Sequence, residues 1–170
     1  MNKDANFWIA HLGLNKHPEG GWFKEVFRSD EILSKKSLPA RYTSFRAIST
    51  SIYYLLKGDE HSSFHRLKSD EIWHFYGGAP VNVYIISPLG KLTINSCGPF
   101  AEEGNVFQLL IPKGSWFAAK VTDLSSYTLL GCTVAPGFDF EDFELGKREE
   151  LIKRFPQHTE VIKMFTNNQV

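Results

Sequence analysis

The sequence is short of cysteine, carries no excess charge of either sign and contains no long apolar run. Its two cysteines, Cys97 and Cys132, stand in separate strand-like segments without a CxxC spacing. They therefore read as small reduced core thiols and not as a disulfide or a metal pair. Nineteen lysines and arginines balance nineteen aspartates and glutamates, with the two signs interspersed. A nucleic-acid partner needs a clustered basic footprint, and none is present. No stretch approaches the length that spans a bilayer, and the start, Met1-Asn2-Lys3-Asp4-Ala5-Asn6, lacks the apolar core of a signal peptide. A cytoplasmic protein without membrane contact is the expectation. Repeats, low-complexity tracts and linkers are missing as well.

What the chain does have is apolar and aromatic mass. These make up 42% and 14% of 170 residues, with fourteen phenylalanines, enough to bury a core without staples. One domain over residues 1–170 is expected, with a barrel core over about 44–136 and a helical tail over about 145–166.

Asp4 is placed to cap a short helix running to Leu12, with Trp8 and Leu12 on one stripe and Gly13 as its stop. The turn signal His17-Pro18-Glu19-Gly20-Gly21 then feeds a strand over 22–28. The polar stretch 30–44, which contains Pro39, reads as an exposed, mobile loop. From Ser44 onward short strands alternate with turns: 47–56, two within 62–78, then 81–86, 91–95, 107–111, 116–121 and 127–134, closed by Pro136-Gly137. Many short strands at regular spacing mean a sandwich or a small barrel. Two helices follow, over 147–155 and 159–165, separated by Pro156.

Residues 62–78, Ser-Ser-Phe-His-Arg-Leu-Lys-Ser-Asp-Glu-Ile-Trp-His-Phe-Tyr-Gly-Gly, organise the chain. They read as two strands with a turn between them, a hairpin holding its polar groups across the turn. Alternation puts Glu71, Trp73 and Phe75 on one side and Ile72, His74 and Tyr76 on the other. A slip of one residue would exchange the two sets.

Glu71-Ile72-Trp73-His74-Phe75-Tyr76-Gly77-Gly78 resembles the second half of the first motif of the cupin superfamily, and Pro112-Lys113-Gly114-Ser115-Trp116-Phe117 resembles the second motif, Pro-x-Gly-x-x-His. Three longer matches narrow the resemblance: residues 17–25, residues 63–76, and the closing Ala-Pro-Gly-Phe-Asp-Phe-Glu-Asp-Phe-Glu of 135–144. They are similar to the uncharacterised DUF985-type branch, the fifth cupin family, described as like the sugar epimerases of the dTDP-rhamnose pathway. The resemblance runs over residues 8–165. It implies a mainly β fold, the cupin double-stranded β-helix or jelly-roll barrel, with short N- and C-terminal helices. By family analogy it also implies a homodimer, with Glu19, Glu25 and Arg28 at the edge between subunits.

Metal-binding cupins use two histidines and the glutamate of the first motif and the histidine of the second. Counting back from Glu71 with four intervening residues puts Phe64 and Arg66 at the histidine positions. Five intervening residues put Ser63 and His65 there, and the second-motif histidine is Phe117. No cofactor is expected. If a divalent metal binds, its ligands are His65, Glu71 and His74.

The candidate catalytic residues are His65, Glu71 and Tyr76. Glu71 stands at the motif's inward glutamate position, where a carboxylate needs partners or a raised pKa; the plainer alternative is a rim carboxylate paired with Lys68 or Arg66. His65 lies six residues before it, against the plainer alternative of a satisfied structural histidine. Ser63, Arg66, Trp73, His74, Gln108, Trp116 and Tyr53 complete the set as substrate-binding candidates. Strand aromatics are more often plain core, and Arg66 has ion-pair partners nearby in Asp70 and Glu71. His11, His17, His61 and His158 read as surface groups. The expected function is a metal-independent isomerase or epimerase acting on a sugar or a similar small polar carbonyl substrate. His65 would be the base, Glu71 or Asp70 its orienter, and Tyr76 or Tyr53 the acid. The alternatives are a non-catalytic binder of a small ligand, a metal-dependent enzyme using His65, Glu71 and His74, and a sheet-edge interaction module.

Overall fold

Strands that are apolar on one or both faces fix the architecture seen in a computed structural model describing residues 3–166. The ends of the expected 1–170 span, 1–2 and 167–170, lie outside the described residues. The elements in order are α1 (Ala5–Leu12), β1 (Asn15–Lys16), β2 (Trp22–Arg28), β3 (Ile32–Leu33), β4 (Arg46–Ala47), β5 (Thr50–Lys57), β6 (Ser62–Leu67), β7 (Asp70–Gly78), β8 (Val81–Ile86), β9 (Leu92–Cys97), β10 (Gln108–Ile111), β11 (Trp116–Val121), β12 (Tyr127–Ala135), β13 (Phe143–Leu145), α2 (Arg148–Arg154) and α3 (Thr159–Met164). One sheet has the order β1-β2-β5-β12-β7-β10 and the other β13-β6-β11-β8-β9; β3 and β4 form a separate ribbon. This is the mainly β jelly roll with terminal helices that the sequence implied.

The two sheets face each other over a common core. Alternate residues of β12 (Leu130, Cys132, Val134) and β7 (Trp73, with Phe75 at the margin) meet Phe117, Ala119 and Val121 of β11 and Val81, Val83 and Ile85 of β8. The intervening residues of the second sheet are apolar too, because helices cover its outer face. Phe64, Ile86, Trp116 and Ala118 pack there against Leu151, Phe155, Ile162 and Phe165. That double burial explains why β11, Trp-Phe-Ala-Ala-Lys-Val, reads as a near-continuous apolar run. Among the described residues, the first sheet is covered outside only at one end, by α1, through Leu14, Leu55 and Leu129. Asp4 caps α1 by accepting from Phe7 N–H at 2.8 Å, and Gly13 ends it in the left-handed region.

Elsewhere that outer face is bare. Register carries Leu110 opposite Ile72, Ile72 opposite Thr133, Thr133 opposite Ser51, and Ser51 opposite Phe27. Leu110, Ile72 and Phe27 are all exposed in this single row.

Two expectations are corrected here. Residues 62–78 are not a hairpin: β6 pairs with β11 and β13 in one sheet, and β7 pairs with β12 and β10 in the other. The turn at Lys68-Ser69 crosses between sheets, held by Ser69 Oγ to the Tyr42 hydroxyl and to Pro136 O, each 2.8 Å. Nor is 30–44 merely an exposed loop. It contains β3 and a short 3₁₀ turn, and Tyr42 is fully buried. Both cysteines are free and buried. Among the described residues, no helix is long and apolar enough to cross a membrane.

Candidate functional site

Because β6 and β7 belong to opposite sheets, alternation turns His65 and Glu71 into the interior from two sides. They line a cavity of about 230 Å³ inside the barrel, together with Trp73, Tyr54, Cys132 and two residues from near the N-terminus, His17 and Glu19. The turn that delivers Glu19 depends on two glycines. Gly20 (φ 113°) and Gly21 (φ 72°) are both in the positive-φ region, and a Cβ at Gly20 would lie 2.2 Å from His61 O. The backbone can thus press against the start of β6, where Ser63 N–H donates to Glu19 O at 2.8 Å and the Ser62 hydroxyl donates to Glu19 Oε1 at 2.8 Å. The Tyr54 hydroxyl donates to Gly20 O at 2.9 Å from the far side.

The proton positions follow from these partners. His65 Nδ1 lies 2.8 Å from Ser63 O, a pure acceptor, so Nδ1 carries a hydrogen. Its Nε2 lies 2.9 Å from Glu19 Oε2, an ion-pair distance, which puts a second hydrogen on the ring. His65 is therefore an imidazolium and Glu19 a carboxylate. Burial alone would lower the His65 pKa, but Glu19, the Ser63 carbonyl and Glu71 outweigh it and raise it. Burial likewise opposes ionisation of Glu19, and His65, His17 and Ser62 overcome it, bringing the carboxyl down to about 2. His17 is the opposite case. Its Nδ1 lies 3.3 Å from Glu19 Oε2 and 3.4 Å from Glu19 N, and burial lowers its pKa, with the charge of His65 adding to the effect of burial against that of Glu19.

Glu71 has no such partner. Burial pushes its pKa up, the Glu19 charge pushes it further, and His65, Trp73 and Cys132 only partly oppose them; it stands at about 7. Beside it, the Trp73 indole favours the ionised carboxyl but lies outside hydrogen-bond geometry, so buried Nε1–H has no partner. An unpaired buried donor costs about 1–3 kcal/mol. Trp22 and Trp116 also carry unpaired indole N–H groups, but only Trp73 faces the cavity.

The cavity mouth is framed by residues 138–143. Arg46, buried to 2% exposure, holds this segment by a two-pronged pair with Asp142, Nε to Oδ2 at 2.6 Å and Nη2 to Oδ1 at 2.7 Å. Arg28 at the rim donates to both oxygens of Glu25, at 3.0 and 2.7 Å, and to Phe138 O.

Of the residues named from sequence, His65, Glu71 and Trp73 come together in the cavity. Ser63 contributes its carbonyl oxygen to His65. The others lie elsewhere. His74 points to the opposite face of β7, with Nε2 3.2 Å from Thr133 Oγ1, and Gln108 pairs beside it on the exposed side. Tyr76 is 55% exposed and sits edge-on to Tyr53 outside the barrel, so neither tyrosine can supply an acid to the cavity. Trp116 belongs to the layer beneath the helices, with Arg66 over its ring and Arg66 paired to Glu144. Asp70 is outside too, paired with Lys113.

Sequence reasoning missed His17, read as a surface group, and Glu19, assigned to a subunit edge. The signal that could have found them is the pair of glycines, which marks a backbone pressed against a neighbour.

The fold family implies a metal, and the donors here do not fit one. The register that places His65 inward is the one the structure shows, yet both His65 nitrogens are committed, and Phe117, at the second-motif histidine position, lies tilted 3.9 Å from His65 with no donor atom. His74 faces away, so His65, Glu71 and His74 do not converge. Among the described residues, no three side chains of His, Cys, Asp or Glu are arranged to hold a metal ion.

Comparison with known proteins gives the family. The pattern described as Cupin superfamily (DUF985) matches residues 6–146. Protein SO0799 from Shewanella oneidensis is 36% identical, with a TM-score of 0.87 over 98% of this chain and 99% of that one. A hypothetical protein from Leishmania major is 32% identical, with a TM-score of 0.88 over 97% and 99%. Uncharacterized protein YML079W of Saccharomyces cerevisiae is 31% identical over 150 residues, 82% of this chain and 74% of that protein.

Proposed function

The chain belongs to the DUF985 branch of the cupin superfamily, and on that footing we propose that it is a small-molecule enzyme that moves a proton on carbon next to a carbonyl group, in the manner of an isomerase or epimerase. The observation that carries the reading is Glu71, a buried carboxyl without a cation of its own, facing a fixed imidazolium–carboxylate pair and poised at about 7. A group that titrates near neutral pH serves as both base and acid. In its ionised form Glu71 takes the proton and later returns it. The positive charge of His65, kept in place by Glu19, favours the oxygen charge that develops as the proton leaves. Two neighbouring groups whose surroundings push them to opposite protonation states are the usual basis of such acid–base assignments. His65 thus acts through its fixed charge, with no N–H left to give the substrate, and Glu19 is its positioning residue, in place of the His65 base with a tyrosine acid expected from sequence.

The test is hydrogen–deuterium exchange at the carbon next to the carbonyl, followed by proton NMR in D₂O over a panel of small ketones and aldehydes. The wild type is expected to catalyse exchange with a rate rising through about pH 7, and Glu71→Gln to lose at least about a hundredfold of it. Equal exchange by both proteins, or none over the whole panel, speaks against the proposal. A non-catalytic binder is the second reading. It is supported by the mutual pairing of His65 with Glu19 and of Arg28 with Glu25, and it is recognised by ligand-dependent stabilisation without exchange. A homodimer completes the proposal, supported by the exposed row Leu110, Ile72 and Phe27 on the bare sheet face.

A further inference from the structure

The cavity has two unlike ends. At its base lies the Trp73 indole N–H, a donor with no acceptor, on a side chain that is 1% exposed. Around the mouth stands a collar of rings: His17 is edge-on to Phe23 at 4.7 Å and to Phe143 at 5.8 Å, and Phe140 is edge-on to Phe138 at 5.1 Å. Positive charge is scarce and already used. Arg28 is the only lysine or arginine among the lining residues, and both oxygens of Glu25 and the Phe138 carbonyl hold it. The His65 charge is matched by Glu19. A diphosphate or a second carboxylate would enter without a free cation to meet it. A sugar crossing the mouth would set its hydroxyls against the rings of Phe23, Phe138, Phe140 and Phe143, which offer them no hydrogen bond.

We propose that the cavity takes a small, uncharged carbonyl compound with a flat apolar body, its oxygen accepting the Trp73 indole N–H and its body lying within the Phe23, Phe138, Phe140 and Phe143 collar. The inference refines the substrate class of the proton-transfer reading and rests on the same cavity being the site. An oxygen held by Trp73 would sit next to the Glu71 carboxyl, since that indole already influences it. The hydrogen-bearing carbon one bond from the carbonyl carbon is then the atom presented to Glu71. The size agrees: at about 230 Å³ the cavity is smaller than the roughly 300–1,000 Å³ pockets that take drug-sized ligands, and suits one ring with a short substituent.

The experiment uses acetophenone, ethylbenzene as the same shape without the oxygen, glucose, and uridine diphosphate glucose, each titrated calorimetrically into the full chain. Acetophenone is expected to bind about tenfold more tightly than ethylbenzene, the worth of one buried hydrogen bond, and glucose and uridine diphosphate glucose are expected not to bind. Trp73→Phe should erase the difference between acetophenone and ethylbenzene. Because Trp73 is a core residue, a second readout needs no variant: the Trp73 indole ¹⁵N–H signal of the wild type should move with acetophenone and stay with ethylbenzene. Equal affinity for the two aromatic probes overturns the inference. So does an unmoved Trp73 signal, failure of acetophenone to bind, or tighter binding of uridine diphosphate glucose. Methyl-hydrogen exchange of bound acetophenone is scored separately. Binding without exchange keeps the ligand class and removes proton transfer; exchange on a polar keto-sugar with no acetophenone binding does the reverse.

Discussion

Replacing Glu71 by glutamine should make the protein more stable at neutral and alkaline pH, and the gain should appear over a defined window. In the folded state the carboxyl stands at about 7 against its ordinary 4.5. Below 4.5 it is protonated both folded and unfolded, and stability does not depend on it. Between 4.5 and 7 the folded chain holds a proton that the unfolded chain has released, so stability falls as pH rises. Above 7 both forms are ionised and the loss is complete, at about 3 kcal/mol. Glutamine has the same shape and never ionises. Its amide is still a buried polar group, which adds a constant offset but no pH dependence. Urea unfolding of the two proteins at intervals from pH 4 to 8 gives the difference directly. Glu71→Gln should gain on the wild type by about 3 kcal/mol across this range, or roughly 6–12 °C in midpoint temperature. Parallel stability curves would refute the reasoning, since they would mean that Glu71 ionises at its ordinary value despite its burial.

Glu19→Gln should strip His65 of its counter-ion, so that burial dominates and the imidazole becomes neutral near pH 7, seen in its ring ¹⁵N shifts; the loss of stability should be about 3–5 kcal/mol. In the wild type, the contribution of Glu19 is present above 4.5 and is lost as pH falls toward about 2, so the stability difference between wild type and variant should shrink over that range. Arg46→Met leaves Asp142 buried with only Lys68 at 3.3 Å, and should cost about 3 kcal/mol while raising backbone hydrogen exchange over 136–146. Tyr76→Phe should leave both exchange activity and ligand affinity unchanged, because the ring lies outside the barrel. Ile72→Glu combined with Leu110→Glu should turn a dimer into a monomer by light scattering, without changing the cavity.

Strand positions were legible wherever local alternation decided them. Glu71, Trp73 and Phe75 face inward as the two-residue period requires, and the strand over 116–121 matches β11 to the residue. What failed were contacts made over long sequence distances. A two-residue turn at Lys68-Ser69 looks the same in sequence whether it closes a hairpin or crosses between sheets. Only the partners of β6 and β7 distinguish the two. Residues 30–44 seemed open because Tyr42 is held by Ser69, while Arg46 just beyond them is held by Asp142, ninety-six positions away. The same limit hid half of the site. His65 and Glu71 could be named from a motif, whereas Glu19 enters the barrel only because Gly20 and Gly21 bring the chain against β6. The outward residues His74, Tyr76 and Gln108 were drawn in by their nearness in sequence to inward ones, and Trp116 by its aromatic character. Each belongs to a face that the second sheet, the helices or solvent occupies.

The most direct test of the account is the ionisation of Glu71 itself, read from the side-chain carboxyl ¹³C shift of glutamate-labelled protein, with Glu71→Gln identifying the signal. The account predicts a midpoint near 7. A midpoint near 4.5 would contradict it, leaving the cavity without a group to move protons at neutral pH.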